Sequence, residues 1–571
     1  MKKAVAFMMT LALSASLLAG CGSTAQSTGE SSGEVSSAEE SSAEETGTED
    51  DSQDTDAASG EEKVVTVATG GSWDSLCPLA STTTNSDTVV NTIFENLFES
   101  DGKGGVIGRL AESYEMTDDN TAMVVHLRQD AVWHDGEPFD ADDVIFSVGL
   151  YTNGDYTSSR RLFFQQVEGC TSSGVEESAG SAHVEKLDDY TVKFYYRQPV
   201  SAASVFASLN VSTFFIFPEH LLKDADPATI LENDFWMNPI GTGPFKYEST
   251  VQGESLTVTA FDDYYLGRPN IDKLVMKVIP ATNLVTAMMS GEVDLISGGI
   301  SAINDSDYEL ATSVEGYTVE SLESTSTQLL ILNNETFSSA KIRKALAMMM
   351  DKDAMLQAGC NGNGTELYSM YASLSNYYDQ DVVDEYGYSY DPDAAYQMLV
   401  EEGFDFDRTY VACINDVPLR QAIMTVMQAT WEKYGMKLEI QTLDTQTCIS
   451  TMRDGNCDFW INGSTSADVS DLATSFLDWC SINEDGSYAP FNLGKISDPT
   501  LMNLENELIG AVDEDEIKNI TSEIQEYILT EYPYIWIVSP YINIAVSDRL
   551  TGVDTTQMVV NTFNYCDWDI Q

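Results

Sequence analysis

Basic residues are scarce in this chain: 28 lysines and arginines stand against 92 aspartates and glutamates over 571 residues, a formal net charge of −64. That balance excludes a surface that holds nucleic acid or anionic headgroups through phosphate contacts. Histidine is scarcer still. His126, His134, His183 and His220 are the whole set, each alone in sequence, which leaves little from which to build a histidine-ligated transition-metal site. The nine cysteines include no CxxC pair, and the chain contains no GxSxG elbow, HExxH, phosphate-binding P-loop or EF-hand spacing. "GTGPFK" at residues 241–246 lacks the Lys-Ser/Thr pair and the helix opening of a phosphate loop. No resident cofactor or metal is expected. After the first twenty residues no stretch approaches the ~18 consecutive apolar residues of a membrane span. Fifteen prolines form no Pro/Gly-rich linker, which argues against domains strung as beads.

What is present begins at the N-terminus. Lys2 and Lys3 precede an apolar run from Ala4 to Leu18 and then small residues, the pattern of a secretory signal over residues 1–20. "LLAGC" at residues 17–21 resembles a bacterial lipobox, in which Cys21 receives a diacylglycerol group and becomes the first mature residue. Acyl chains gain about 0.8 kcal/mol per buried CH2, so two or three of them (palmitate, for example) hold a protein at a bilayer without a spanning helix. Residues 22–62 carry no Lys, Arg or aromatic residue, and Val35 is their only large apolar side chain. Such a composition does not offset its ordering entropy, and residues 21–63 are expected to form a lipidated, acidic tether with a reach of about 35 Å. The remaining body holds 26 basic and 79 acidic residues. Such an acidic surface could favour cationic ligands, or could simply keep the body soluble with its field screened beyond ~8 Å. Eight cysteines remain in it, from Cys77 to Cys566, and the sequence does not choose among their 105 pairings.

From Val64 onward strand-like and helix-like runs alternate, which predicts an α/β fold. "VVTVAT" (64–69), "AMVVHLR" (122–128), "YTVKFYY" (190–196), "SLTVTAF" (255–261), "KLVMKVI" (273–279) and "KLEIQTL" (437–443) have β-branched or aromatic residues at period two. In "SSAKIRKALAMMMDKDAML", Ile342, Ala345, Leu346 and Met349 share one helical face, with Ser338 or Ser339 as cap. "LRQAIMTVMQATWEKYGM" predicts a second helix that stops at Gly435. The Met-rich faces of both are expected in the core. More than 500 folded residues exceed one hydrophobic core, so at least two lobes are expected.

Four segments, in order, carry a resemblance. They are "FENLFESDGKGGVIGRLAESYEMTDDNTAMVVHLRQDAVWHDGEPFDADDVIFSV" (94–148); "NPIGTGPFKYES" with "FDDYYLGRPNIDKLVMKVIP"; "SGEVDL" with "LNNETFSSAKIRKALAMMMDKDAML"; and "YDPDAAYQMLVEEGF" with "QATWEKYGMKLEI". Over nearly all of residues 64–571 the chain is similar to the extracellular solute-binding proteins of peptide and nickel ABC importers, family 5. The resemblance implies a two-lobed α/β clamp of the periplasmic-binding-protein type with an extra inserted subdomain and a ligand between the lobes. Lobe I would take residues 64–97, 199–322 and 539–571, the inserted subdomain residues 98–198, and lobe II residues 323–538, with "STQLLILNN" and "YIWIVSP" as crossing strands.

The same resemblance implies the site. In "NGSTSADVSDLATSFL" (462–477), Asp468 takes the position of the carboxylate that pairs with a peptide's α-ammonium group; Asp471 is the alternative, because the family's proline after the second acid is replaced here by Leu472 or Ala473. Ser464 and Ser466 match positions whose main-chain groups pair with the ligand backbone, and Thr82 and Thr84 match the opposing wall. Arg161, Arg453 and Arg420 qualify as partners for a ligand carboxylate by residue type only. The implied function is a monomeric receptor, lipid-anchored outside the cell (in the periplasm where an outer membrane exists), that captures short peptides and delivers them to the transmembrane subunits of an ABC permease. Other readings are the same clamp on an oligosaccharide, a metal chelate or a signalling peptide, and, more remotely, a secreted hydrolase.

Overall fold

The computed structural model describes residues 62–571 apart from short stretches at 82, 103–104, 156–159, 161–163, 172–173, 179, 210–213, 299–300, 467–471, 473–475, 484, 557 and 559–562. Two mixed sheets organise these residues. The first has seven strands in the order Tyr317–Leu322, Ile542–Ser547, Leu295–Ile296, Val64–Thr69, Lys273–Val278, Ser255–Ala260 and Phe245–Val251. The second has six, in the order Gly364–Glu366, Tyr534–Pro540, Ser326–Leu332, Phe459–Thr465, Thr409–Ile414 and Lys437–Thr442. A four-stranded antiparallel sheet, Ala111–Met116, Ala122–Leu127, Thr191–Tyr195 and Val184–Asp188, lies in the chain between Val64–Thr69 and Phe245–Val251 of the seven-stranded sheet. All six period-two runs of the sequence are strands.

The second sheet shows why its strands read as continuous apolar runs. Leu330 and Leu332 belong to one hydrophobic core, while Leu329 and Ile331 belong to another on the opposite face. Phe459 and Ile461 join the first of these and Trp460 the second. A sheet covered on both faces buries odd and even positions alike. The helix Pro418–Lys433 covers one face through Ile423, Met424, Met427 and Trp431. It begins with proline at its first position, where no amide partner is needed. It ends before Gly435, whose φ of 94° suits a glycine. The run from Ser338 to Leu356 is two helices, Ala340–Met348 and Lys352–Cys360. The break comes at Asp351, whose side chain accepts from the Ala354 amide at 2.9 Å and starts the second helix. Ser339 occupies the cap position of the first without a capping bond; its hydroxyl donates to Glu402 at 2.7 Å.

The chain passes between the two sheets twice. It leaves the first after Leu322 and enters the second at Ser326; it leaves the second at Pro540 and re-enters the first at Ile542. Of the segments 326–334 and 534–540, residues 326–332 and 534–540 therefore lie within the second sheet, and residues 323–325 and Tyr541 make the crossings. Hydroxyls stitch the two crossings together. Ser324 Oγ donates to the Pro540 carbonyl at 2.6 Å, Ser539 Oγ to the carbonyls of Ser324 and Ser326 at 3.1 and 2.7 Å, and Tyr541 OH to Glu323 at 3.2 Å. All eight cysteines of the body are free thiols, seven of them buried. No helix among the described residues is long and apolar enough to cross a membrane.

One buried acid couples this packing to pH. Glu95 Oε1 accepts from the hydroxyls of Tyr264 and Tyr265 at 2.6 and 2.8 Å, while Oε2 is sealed from solvent with no hydrogen-bond partner among the described residues. Burial raises its pKa from 4.5 to about 7, against the lowering effect of both tyrosine hydroxyls and of Arg109. A folded-state value above the unfolded one means that folding takes up a proton. This contribution to stability is complete below pH 4.5 and is lost as pH rises through 7. Glu95→Gln should remove it: in urea unfolding from pH 4.5 to 8, wild type should lose about 3 kcal/mol relative to the variant. Parallel curves would show that Glu95 does not titrate in this window.

Candidate functional site

In open α/β sheets ligands collect beyond the carboxyl ends of the parallel strands. Here Thr409–Ile414 runs parallel to Phe459–Thr465 and to Lys437–Thr442, and Val64–Thr69 runs parallel to Lys273–Val278 and Leu295–Ile296. In the second sheet Thr465 lies opposite Ser326, the first residue after a crossing. The carboxyl end of that sheet therefore adjoins the passage to the first sheet.

The central strand Phe459–Thr465 is paired unequally on its two sides. Along one side it matches Ser326–Leu332 residue for residue over its whole length. On the other side it meets Thr409–Ile414 only at Phe459, Trp460 and Ile461, because that neighbour ends at Ile414. Residues 462–465 thus present a backbone edge with no strand beside it among the described residues. Unpaired donors and acceptors of this kind are the template for adding an extended chain.

Beside the bare edge sits a cluster of polar side chains set by the end of the neighbouring strand. Asn415, the first residue past Ile414, uses Oδ1 to accept from Arg420 Nη1 at 2.7 Å and from Trp460 Nε1 at 3.1 Å. Arg420 comes from the first turn of Pro418–Lys433 and donates through Nε to Gln328 Oε1 at 3.1 Å. Gln328 pairs across the sheet with Gly463. A Cβ at residue 463 would lie 2.6 Å from Gln328 Nε2 and 2.8 Å from Arg420 Nη2, so a side chain there would push both of these ends aside. Arg420 is half-buried and takes part in no ion pair among the described residues. Burial lowers its pKa from the usual arginine value.

Of the residues singled out in the sequence, Ser464 lies on the bare edge, and its carbonyl accepts from Thr327 Oγ1 at 3.4 Å. Ser466 is held by the crossing. Its amide donates to the Thr325 carbonyl at 3.3 Å and its carbonyl accepts from Thr325 Oγ1 at 2.8 Å. Thr84 begins the helix Thr84–Val90 with an exposed side chain. Its neighbour Asn85 donates to the Gly71 carbonyl at 2.9 Å, which ties that helix start to the loop following Val64–Thr69 in the first sheet. Arg453 is exposed and donates to the Pro490 carbonyl at 3.1 Å. Cys21, Thr82, Arg161, Asp468 and Asp471 lie outside the described residues. The Asn415–Arg420–Gln328 cluster escaped the sequence, where Arg420 stood out by type alone. The one available signal was the strand "TYVACI" followed at once by a proline-started helix, which fixes Arg420 to the strand's carboxyl end.

Two histidines have acid partners, His183 Nδ1 with Glu168 at 2.8 Å and His220 Nε2 with Asp135 at 3.0 Å. His134 is buried between backbone groups of Gly241 and Gly243, and burial lowers its pKa to about 4. Among the described residues no group of three or more His, Cys, Asp or Glu could hold a metal ion.

Residues 105–487 match the family model for bacterial extracellular solute-binding proteins, family 5 (middle region). The chain belongs to this family. This solute-binding protein is 27% identical over 398 residues to the oligopeptide-binding protein AppA of Bacillus subtilis, covering 67% of the chain and 69% of AppA. It is 26% identical over 467 residues to the dipeptide-binding protein of Escherichia coli, covering 76% of the chain and 84% of that relative. The solved structure of B. subtilis AppA with a nonapeptide superposes with a TM-score of 0.70 at 23% identity, over 89% of this chain and 99% of the other. That of Campylobacter jejuni NikZ with Ni(L-His) gives 0.70 at 20%, over 89% and 99%. The architecture is thus the two-lobed α/β clamp of the family, with the crossings between its lobes.

The cluster at the carboxyl edge makes a direct prediction for this solute-binding protein. Asn415→Ala removes the acceptor shared by Arg420 and Trp460 and leaves a buried indole N–H unsatisfied, so urea unfolding should show a loss of about 1–3 kcal/mol. An unchanged midpoint would mean that Asn415 does not hold the cluster.

Proposed function

We propose that this protein is the receptor of an ABC importer that takes up short peptides between its lobes. The observation that carries the reading is the bare backbone edge at residues 462–465, next to the crossing between lobes. Backbone pairing to an extended peptide gives affinity regardless of side-chain sequence, which suits a carrier of mixed peptides. The peptide-binding relatives support the same choice. Asp468, two residues after the tethered Ser466, takes the peptide's α-ammonium group. A carboxylate accepts hydrogen bonds only, and a charge-assisted bond is about twice as strong as a neutral one. Asp471 is the alternative for the same task. Ser464 and Ser466 flank the ligand on the lobe II side, and Thr82 and Thr84 form the facing wall on lobe I. Nothing in this cycle makes or breaks a covalent bond: the lobes close on the peptide, and the closed form engages the permease. Cys21 carries the lipid that keeps the receptor at the outer face of the membrane.

Calorimetry with tri- to pentapeptide pools, free and N-acetylated, tests the reading. Free pools should bind, and Asp468→Asn should weaken them by about 1.5–3 kcal/mol while leaving the acetylated pools unchanged. Equal binding of free and acetylated pools would remove the ammonium role, and no binding by either would remove peptides as the ligand. A metal chelate such as the nickel–histidine complex bound by NikZ would then be sought by mass spectrometry of whatever co-purifies. Cys21→Ala should release the protein from the membrane fraction into the medium; retention would count against the lipid anchor.

A further inference from the structure

We infer a second ligand site, apart from the bare edge and the crossings: a cavity of about 300 Å3 in which Arg109 and Asn96 take the carboxylate of a small molecule and aromatic side chains take its apolar body. Its walls come from residues 91–109, 244–266 and 563–567. None belongs to the six-stranded sheet or to the helices that cover it, so the inference stands independently of the peptide reading.

The short ribbon of Phe98–Ser100 and Val106–Gly108 builds the charged wall. Glu99 lies opposite Ile107 in its register, and Arg109, two residues further on, donates through Nε to Glu99. The other two guanidinium nitrogens, Nη1 and Nη2, have no acceptor among the described residues and are not sealed from solvent. Asn96 is only 5% exposed; its Nδ2 likewise has no acceptor among the described residues and is not sealed, whereas its Oδ1 is. Three donors, two of them on one cation, call for an acceptor that carries negative charge, and a planar guanidinium matches the fork of a carboxylate. The remaining walls are apolar. Phe94, Tyr264, Phe563 and Tyr565 supply rings, the last two stacked at 5.4 Å between centroids. Leu266, 45% exposed, extends this surface toward solvent.

Packing alone gives no reason for such a corner. Besides Asn96 Oδ1, Glu95 Oε2 and Tyr565 OH are sealed with no hydrogen-bond partner among the described residues, and each such atom costs about 1–3 kcal/mol. Unsatisfied buried groups gathered round one cavity point to a ligand rather than to a core, and convergent polar groups among apolar walls, in about this volume, are the make-up of a small-molecule site. The neighbouring acids do not close it to an anion. Glu99 is engaged by Arg109, Glu95 is pushed up to about 7 by burial, and exposed Asp567 accepts from Asn564 Nδ2 at 3.1 Å. A free amino acid with an apolar side chain and a simple organic acid of the same size share the required chemistry.

Calorimetry of the full chain at about pH 6, where Glu95 is mostly uncharged, compares phenylpropionate, phenylpropanamide and L-phenylalanine. The acid should bind about ten- to a hundredfold more tightly than the amide, the range of a hydrogen bond to a charged group. Whichever of phenylpropionate and L-phenylalanine binds more tightly names the source. In Arg109→Gln the preference for acid over amide should shrink to about threefold or less. Leu266→Trp puts an indole at the open side of the cavity and should weaken acid and amide alike; it supplies the comparison if the arginine variant does not fold. Cys566 lines the cavity and is the one body cysteine that is not fully buried, so its labelling by a maleimide, followed by mass spectrometry, should slow about tenfold when the acid is saturating. Both variants should bind peptide pools as wild type does. Acid and amide bound alike, no binding by any of the three compounds, affinity that survives Leu266→Trp, or Cys566 labelling indifferent to the acid overturns the site and leaves the peptide reading intact. Wild type that takes the acid but no peptide pool overturns the peptide reading and leaves this site standing.

Discussion

The strand Phe459–Thr465 is paired over seven residues on one side and three on the other, and the arrangement of the candidate site follows from that inequality. An unpaired backbone edge inside a folded body must find partners in solvent or in another chain. Its length is set by where Thr409–Ile414 stops, four residues before Pro418 opens the next helix. Had the neighbouring strand continued to the crossing, the sheet would be complete and nothing extended could join it. The bare edge and the turn into the helix Pro418–Lys433 are therefore one feature, and the same turn delivers Arg420 to the edge.

The crossings add the second constraint. Two short connections, bound to each other by the hydroxyls of Ser324 and Ser539, join sheets whose own strands are locked in continuous ladders. Motion between such bodies concentrates in the few residues that carry no ladder. Thr325, one of those residues, holds both backbone groups of Ser466. The end of the strand Phe459–Thr465 is thus tied to the crossing itself through Ser466, and a chain paired along residues 462–465 would lie beside it. A ligand shifts a two-state equilibrium only by its differential affinity for the two states. A site that reaches onto the hinge is placed to provide one.

The fold was largely legible because its signals are local. Period-two runs such as Val64–Thr69 and Lys437–Thr442 name their own strands, and the Gly435 stop needs no tertiary information. The break at Asp351 was missed because Met349 and Met350 continue the apolar face of the first helix while the aspartate caps the next. The site was far less legible. Gln328 and Gly463 are 135 positions apart and meet only through sheet register, which no local pattern encodes. Gly463 carries no positive φ and reads as an ordinary flexible residue until the side chains above it are known. Ser464 stands out only through resemblance, since a polar residue at the end of a strand is otherwise unremarked.

The charge distribution ties the two ends of the argument together. A body with 79 acidic and 26 basic residues presents a negative field to any approaching solute, and free peptides carry both signs. The field alone favours the ammonium end and disfavours the carboxylate, but at physiological salt it is screened within ~8 Å, so local groups decide. A carboxylate entering the cleft loses hydration and meets repulsion unless a fixed cation is waiting. Surface arginines on this protein are mostly engaged, as Arg128 is with Asp130 and Arg268 is with Asp262 and Asp272. Arg420 is held back from that exchange by geometry: its neighbours Asn415 and Gln328 are neutral amides that fix its position without cancelling its charge. Two carboxamides in place of two carboxylates fix Arg420 without an ion pair among the described residues.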